Sequence, residues 1–174
     1  MENFSQNSDK TVASLIHIST FSKFIIPLGN FILPLILWTA KKDDHFVNEH
    51  GKQALNFQIS IFLYFVLLSF LTIAGVIYLG LEISFKNPFI FSEEYINIFP
   101  ALISLPLLFF LGIVGVLFLA LFILEIVAVI TAAIKASEGK LYNYPLTINF
   151  ITPTPVGIHQ SKNDQYNNTQ NETL

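Results

Sequence analysis

Three long apolar runs, separated by short polar stretches, set the outline of this chain: Phe24 to Ala40, Gln53 to Leu81, and Pro100 to Lys135. The second carries no charge, and the third is interrupted only by Glu125. A helix needs roughly 20 apolar residues to cross a ~30 Å hydrocarbon core. The second and third runs exceed that length, and the first, at about 17 residues, sits at its lower limit. Ahead of the first run, Lys10, Ser14, His17, Thr20 and Lys23 recur every three or four residues, with Val12, Leu15, Ile18 and Phe21 opposite. This pattern predicts an amphipathic helix over 11–23, suited to the membrane interface.

Three geometries fit residues 11–40. An interfacial helix followed by a short span over 24–40 is favoured, because Lys23 in mid-membrane would be costly. One long kinked span and a helical hairpin pivoting at Pro27 are the alternatives; the hairpin would reverse the side of the N-terminus. The predicted fold is an all-α membrane protein with three transmembrane helices (24–40, 53–81, 100–135), preceded by an amphipathic interfacial or half-membrane helix. Residues 82–97 read as a loop, and Pro106 either breaks the last span or leaves its first turns at the interface. Gly139 ends that helix, and 141–151 reads as an extended segment containing Pro145. A single membrane domain thus covers 11–151, with polar residues 1–10 and 152–174 expected to be disordered.

Composition agrees with a bilayer-embedded chain. Charged residues make up 12% and the mean hydropathy is +0.60, against roughly 25% charged residues in soluble domains. A net charge of -3 gives no reason to expect nucleic acid as partner. With no cysteine there is no thiolate nucleophile, disulfide or cysteine metal site. Lysine supplies all the basic charge. Lys41, Lys42 and Lys52, with Lys135 and Lys140, outnumber Lys86 in the 82–97 loop, which predicts a cytoplasmic first loop and C-terminus and an outer N-terminus. Lys10 and Lys23 count against this assignment.

Candidate chemistry is sparse. Glu125 lies ~15 Å of helix before Lys135, near mid-membrane, where an ionised carboxylate costs on the order of 2.5–3.5 kcal/mol and needs a partner or water. It is either a proton- or cation-handling carboxylate or a paired structural residue. Ala128, Ala132 and Ala136 form a small-residue stripe for close helix contact. His17, His45 and His50 show no metal-ligand spacing, and Glu49 adjoins His50 instead of sharing its helical face, so hydrogen bonding near the interface is expected and no metal. Gly51-Lys52 lacks the remaining positions of a phosphate loop. Glu49, Gln53, Asn56 and Ser60 form a polar stripe that either lines a vestibule or satisfies the 141–151 segment. No catalytic set and no cofactor site can be assembled.

Several stretches resemble a bacterial membrane family. They are L-I-H-I-S at Leu15 to Ser19, I-P-L-G-N and P-L-I within Ile26 to Ile36, F-V-N-E-H-G-K-Q-A-L-N-F-Q-I-S at Phe46 to Ser60, A-A-I-K-A-S-E-G at Ala132 to Gly139, and Y-x-Y-P-L-T-I-x-F-I at Tyr142 to Ile151. The chain is similar there to the domain-of-unknown-function family forty-eight seventy, itself described as Tic-twenty-like. That resemblance implies a multi-span helical fold in a bacterial plasma membrane and no assigned activity. The chain departs from the family pattern in a longer 80–115 region. The expected function is a non-enzymatic accessory or assembly component of a membrane complex, with a membrane protein partner or a homo-oligomer in the lipid bilayer. The alternative is a small oligomeric channel or transporter lined by Glu125 and the 49–60 stripe. A pore requires Glu125, Asn56 and Gln53 on connected water-facing surfaces; an accessory protein buries them in packed hydrogen bonds.

Overall fold

The structure, a computed structural model, describes residues 2–86, 91–92, 95–96 and 104–152. Helix α1 spans Glu2–Ser19 and tightens into a 3-10 turn at Thr20–Phe24. Helix α2 covers Gly29–Ala40, α3 His45–Lys86 and α4 Leu105–Ser137. Between α3 and α4, Phe91–Ser92 (β1) and Tyr95–Ile96 (β2) form a minimal antiparallel pair, Phe91 opposite Ile96. The fold is otherwise helical. The polar N-terminus expected to be disordered is helical from Glu2, while the 153–174 tail and the 97–103 approach to the last helix lie outside the described residues.

Among the described residues, two helices are long and apolar enough to cross a membrane: α3 over His45–Ile83, and α4. At 42 and 33 residues they measure ~63 and ~50 Å. Pro106 opens α4 within its first turn, where its missing N–H costs nothing, so it neither breaks nor kinks the helix. At the other end Gly139 adopts φ 78°, the left-handed conformation that terminates helices.

Helix α2 has 12 residues and is ~18 Å long, too short for a ~30 Å core. Helices α1 and α2 pack together as a helical hairpin that turns near Pro27. Leu28 takes the left-handed φ of 60° at the turn. Gly29 presses on Ser22, where an added Cβ would lie 2.6 Å from Oγ and 2.8 Å from the carbonyl oxygen. The Lys41 ammonium reaches Asp9 at 2.7 Å, and the Lys10 side chain lies against Gly139. The start of the hairpin, the 41–44 turn and the end of α4 therefore share one end of the molecule, here the basic end. An N-terminus on the side opposite the 41–52 loop does not fit this arrangement.

The polarity of α1 is inverted relative to a helix resting on a membrane surface. Ala13, Ile16, His17 and Thr20 are buried, whereas Leu15 and Ile18 are about half exposed. Its polar stripe points into the protein, where buried polar groups are paired with protein partners. Ser14 accordingly donates to the Ala133 carbonyl at 2.7 Å, and α1 packs most extensively on α4. Ala128, Ala132 and Ala136 are buried in the α4 face and serve contacts within the chain. The core joins Phe57 and Ile61 of α3 to Ala128, Val129 and Ala132 of α4 and to Tyr144; a second cluster holds Ile16, Val47 and Ala54. Farther from the basic end α3 and α4 are the helices that continue among the described residues, with Phe65 stacked on Phe118 and Gly75 against Phe110. Their outward side chains there, such as Phe70, Ile73, Ile77 and Val116, are exposed and apolar.

Candidate functional site

The polar residues toward the basic end form three constellations. In the first, the Lys23 ammonium meets both carboxylate oxygens of Glu125 at 2.5 Å. Glu125 is 1% exposed, so its partner is protein and not water. Lys23 comes from the 3-10 turn at the tip of the hairpin and α4 supplies Glu125 from mid-helix. The cost that argued against Lys23 in the membrane is offset because both costly charges share one site. At the same depth Asn30 of α2 donates to Gln58 of α3 at 3.0 Å.

The second constellation gathers His17, His50 and Tyr144. His17 Nε2 lies 2.7 Å from His50 Nδ1, and His17 Nδ1 lies 2.8 Å from the Tyr144 hydroxyl. All three are buried. Burial, and then the neighbouring His50, hold His17 well below the ordinary histidine value of 6.5, so at neutral pH its ring is uncharged. A neutral ring has one donor and one acceptor nitrogen. Tyr144 O–H donating to Nδ1 and Nε2–H donating to His50 satisfies both, and leaves the remaining proton of His50 on Nε2. Among the described residues that nitrogen is buried without a hydrogen-bond partner. Phe57 stacks on Tyr144 with ring centroids 4.2 Å apart, and Phe46 packs on His50. His45 lies outside this cluster, at the first residue of α3.

The third is the α3 stripe. Asn56 binds both backbone groups of Ile151, donating to its carbonyl at 2.7 Å and accepting from its N–H at 2.8 Å. The Ile148 N–H donates to Ser60 Oγ at 2.8 Å, and Tyr64 donates to the Leu146 carbonyl at 2.8 Å. Gln53 reaches Asn143 at 3.4 Å. Positions 56, 60 and 64 thus form one face of α3 that satisfies an extended segment with no ladder of its own. Segment 141–151 dips along α3 as far as Tyr64, reverses at Leu146 (φ 55°), and returns to Asn56. Glu49 lies apart from this exchange, 2% exposed and 3.1 Å from the Lys52 ammonium.

Of the residues singled out from the sequence, His17 and His50 come together, Asn56 and Gln53 serve the extended segment, Glu49 pairs with Lys52, and Glu125 pairs with Lys23. Lys23, Tyr144, Tyr64 and the Asn30–Gln58 pair were not singled out. The signal for Lys23 was present: it and Glu125 are the lone charges inside their apolar surroundings, with opposite sign. Nothing in the spacing identifies Tyr144 as the third member of the histidine cluster. Among the described residues, no group of three or more histidine and acidic side chains is arranged to hold a metal ion. Through these bonds the three constellations tie elements together, while His50 Nε2, Gln53 Oε1 and Gln58 Nε2 are buried with no hydrogen-bond partner among the described residues.

Comparison with known families gives one match. The model described as the Magnetosome magnetite crystal formation protein family, MamF/MmsF, matches residues 8–151, well over half of the chain. This match overturns the resemblance to the domain-of-unknown-function family forty-eight seventy and its Tic-twenty-like description. The blocks that suggested them lie within the matched region. No curated protein and no solved structure matches the chain.

Proposed function

The chain belongs to the magnetosome magnetite crystal formation protein family, and on that premise we propose that it is a non-enzymatic, membrane-embedded accessory component of the crystal-forming process for which the family is named. One observation carries the accessory role over conduction: Glu125, the carboxylate a pore would use, is 1% exposed and held by Lys23. Asn56 is likewise committed, to both backbone groups of Ile151. Side chains spent in this way hold elements together and, among the described residues, are not offered to a water-filled path.

In this proposal α3 and α4 cross the membrane and the α1–α2 hairpin enters from one side without crossing. The N-terminus, the 41–44 turn and the C-terminal end of α4 then face the same compartment. Lys10, Lys41, Lys42, Lys52, Lys135 and Lys140 cluster toward that end, while Lys86 lies at the far end of α3. The lysine bias assigns the basic end to the cytoplasm, and Lys10, which opposed the three-span topology, now agrees with it.

A mild-detergent pull-down from native membranes, with native mass measurement of the product, tests the role. A reproducible heteromeric complex is expected, together with no proton or cation flux from the purified protein in sealed vesicles. A lone homo-oligomer that conducts ions would contradict it.

A further inference from the structure

The two halves of this molecule differ in cross-section. From the basic end inward, the hairpin descends to the level of Lys23–Glu125 and Asn30–Gln58. Glu125 is ~18 Å from the end of α4, and Gln58 ~20 Å from the start of α3. The extended segment reaches a similar depth at Leu146 before returning. Over this half, α1, α2, α3, α4 and the extended segment lie side by side. Beyond it α3 and α4 are the helices that continue among the described residues, for ~42 and ~30 Å respectively. The hairpin ends in an apolar tip: Phe24, Ile25 and Leu28 are exposed, Ile25 to 86%. Such a tip is stable in hydrocarbon and unstable in water, which fixes it inside the bilayer.

We propose that the protein is a membrane wedge, which prefers or produces bilayers whose leaflet on the basic side is the convex one. With helices of about 10 Å diameter, each occupies ~80 Å² of leaflet area. The basic-side leaflet accommodates four helices and an extended segment, and the opposite leaflet two helices. The excess is on the order of 200 Å² per molecule on one side. An inclusion of that shape sits with least strain where the leaflet it enters more fully is stretched, and it bends a flat membrane the same way. Interfacial insertion is curvature-sensitive for the same reason. The outward apolar surface of α3 and α4 faces lipid in the narrow half, and lipid is the partner that the wedge acts on.

This inference deepens the accessory reading and rests on its placement of α3 and α4 across the bilayer. The test uses the full-length protein, reconstituted at one protein-to-lipid ratio into a mixture of small sonicated and large extruded phosphatidylcholine–phosphatidylglycerol vesicles. Protein density is read vesicle by vesicle, and membrane-impermeant amine labelling reports which face is outside. The expected result is at least about twofold higher protein density on the small vesicles, with the Lys41–Lys42 turn outward on them. Ile25→Asp, at an exposed tip position, should lose the enrichment because the hairpin tip no longer enters hydrocarbon. Equal density across vesicle sizes in wild-type protein that resists alkaline extraction would overturn the wedge alone, as would an oligomer whose packed narrow halves restore a cylinder. Protein removed by alkaline extraction would overturn the membrane-spanning reading as well.

Discussion

Removing one member of the Lys23–Glu125 pair should destabilise the fold far more than removing both. Glu125 is 1% exposed and the Lys23 side chain 24% exposed, so either charge left alone faces a mostly apolar surrounding. Breaking a buried pair by deleting one partner costs about 3–5 kcal/mol, whereas an apolar replacement of both is close to neutral. Lys23 can extend part of its length toward the interface, which lowers the expectation to about 2–3 kcal/mol for each of Lys23→Met and Glu125→Leu. The double variant should lie within about 1 kcal/mol of wild type, giving a coupling of about 3–6 kcal/mol. The assay is reversible unfolding in mixed micelles. It can be followed by the fluorescence of Trp38, the one tryptophan in the chain, whose Nε1 is bonded to Asn48 at 2.8 Å. Interhelical hydrogen bonds in membranes average about 0.6 kcal/mol in such cycles. A coupling no larger than that would refute the assignment of this pair as the clasp between hairpin and α4.

Three further outcomes follow from named contacts. Asn56→Ala strands two backbone groups of Ile151; it should cost about 1–3 kcal/mol and raise hydrogen exchange in the 145–152 peptide, leaving α4 protected. Gly51→Ala places a Cβ 2.3 Å from Trp38 Cγ, so Trp38 must move; a shifted emission maximum and a loss of about 1–3 kcal/mol are expected. Stability should also fall with acidification. His17 is held below 6.5 in the folded protein, so the unfolded chain binds more protons in that window. Its contribution is complete above about pH 6.5 and is lost as pH drops through the depressed folded value. Unfolding midpoints measured from pH 8 downward should show this decline, and His17→Gln should flatten it.

Much of the fold was legible because hydrocarbon is an unforgiving solvent for charge. The two long apolar runs, Gly139 as helix stop and the extended character of 141–151 all follow from composition and local chemistry. The stripe at Asn56 and Ser60 could be read as serving that segment because a buried backbone without a ladder needs side-chain partners. Residues 24–40 misled for a specific reason: an apolar run at the lower length limit fits either a span or half of a hairpin, and the left-handed turn at Leu28 leaves little trace in residue type. The facing of α1 misled too, since the same alternation of polar and apolar positions describes a helix resting on a membrane and one inverted inside it. Lys23 was treated as a reason against burial when its partner lay a hundred residues away. Spacing within one helix cannot reveal such a partner, although the shortage of other intramembrane charges could have suggested it.

The central claim is that the polar interior between Glu125 and the basic end is closed to water. The absence of cysteine from the chain makes thiol accessibility the direct measurement. Cysteine can be placed at Ala128 or Ala132, each buried on α4 between Glu125 and Lys135, with Lys42→Cys as the exposed control. In intact membranes a small, membrane-impermeant thiol reagent should modify the control and leave both interior positions unlabelled. Labelling at 128 and 132 at rates near the control would mean a water-filled path leading to Glu125, and would replace the accessory reading with a conducting one.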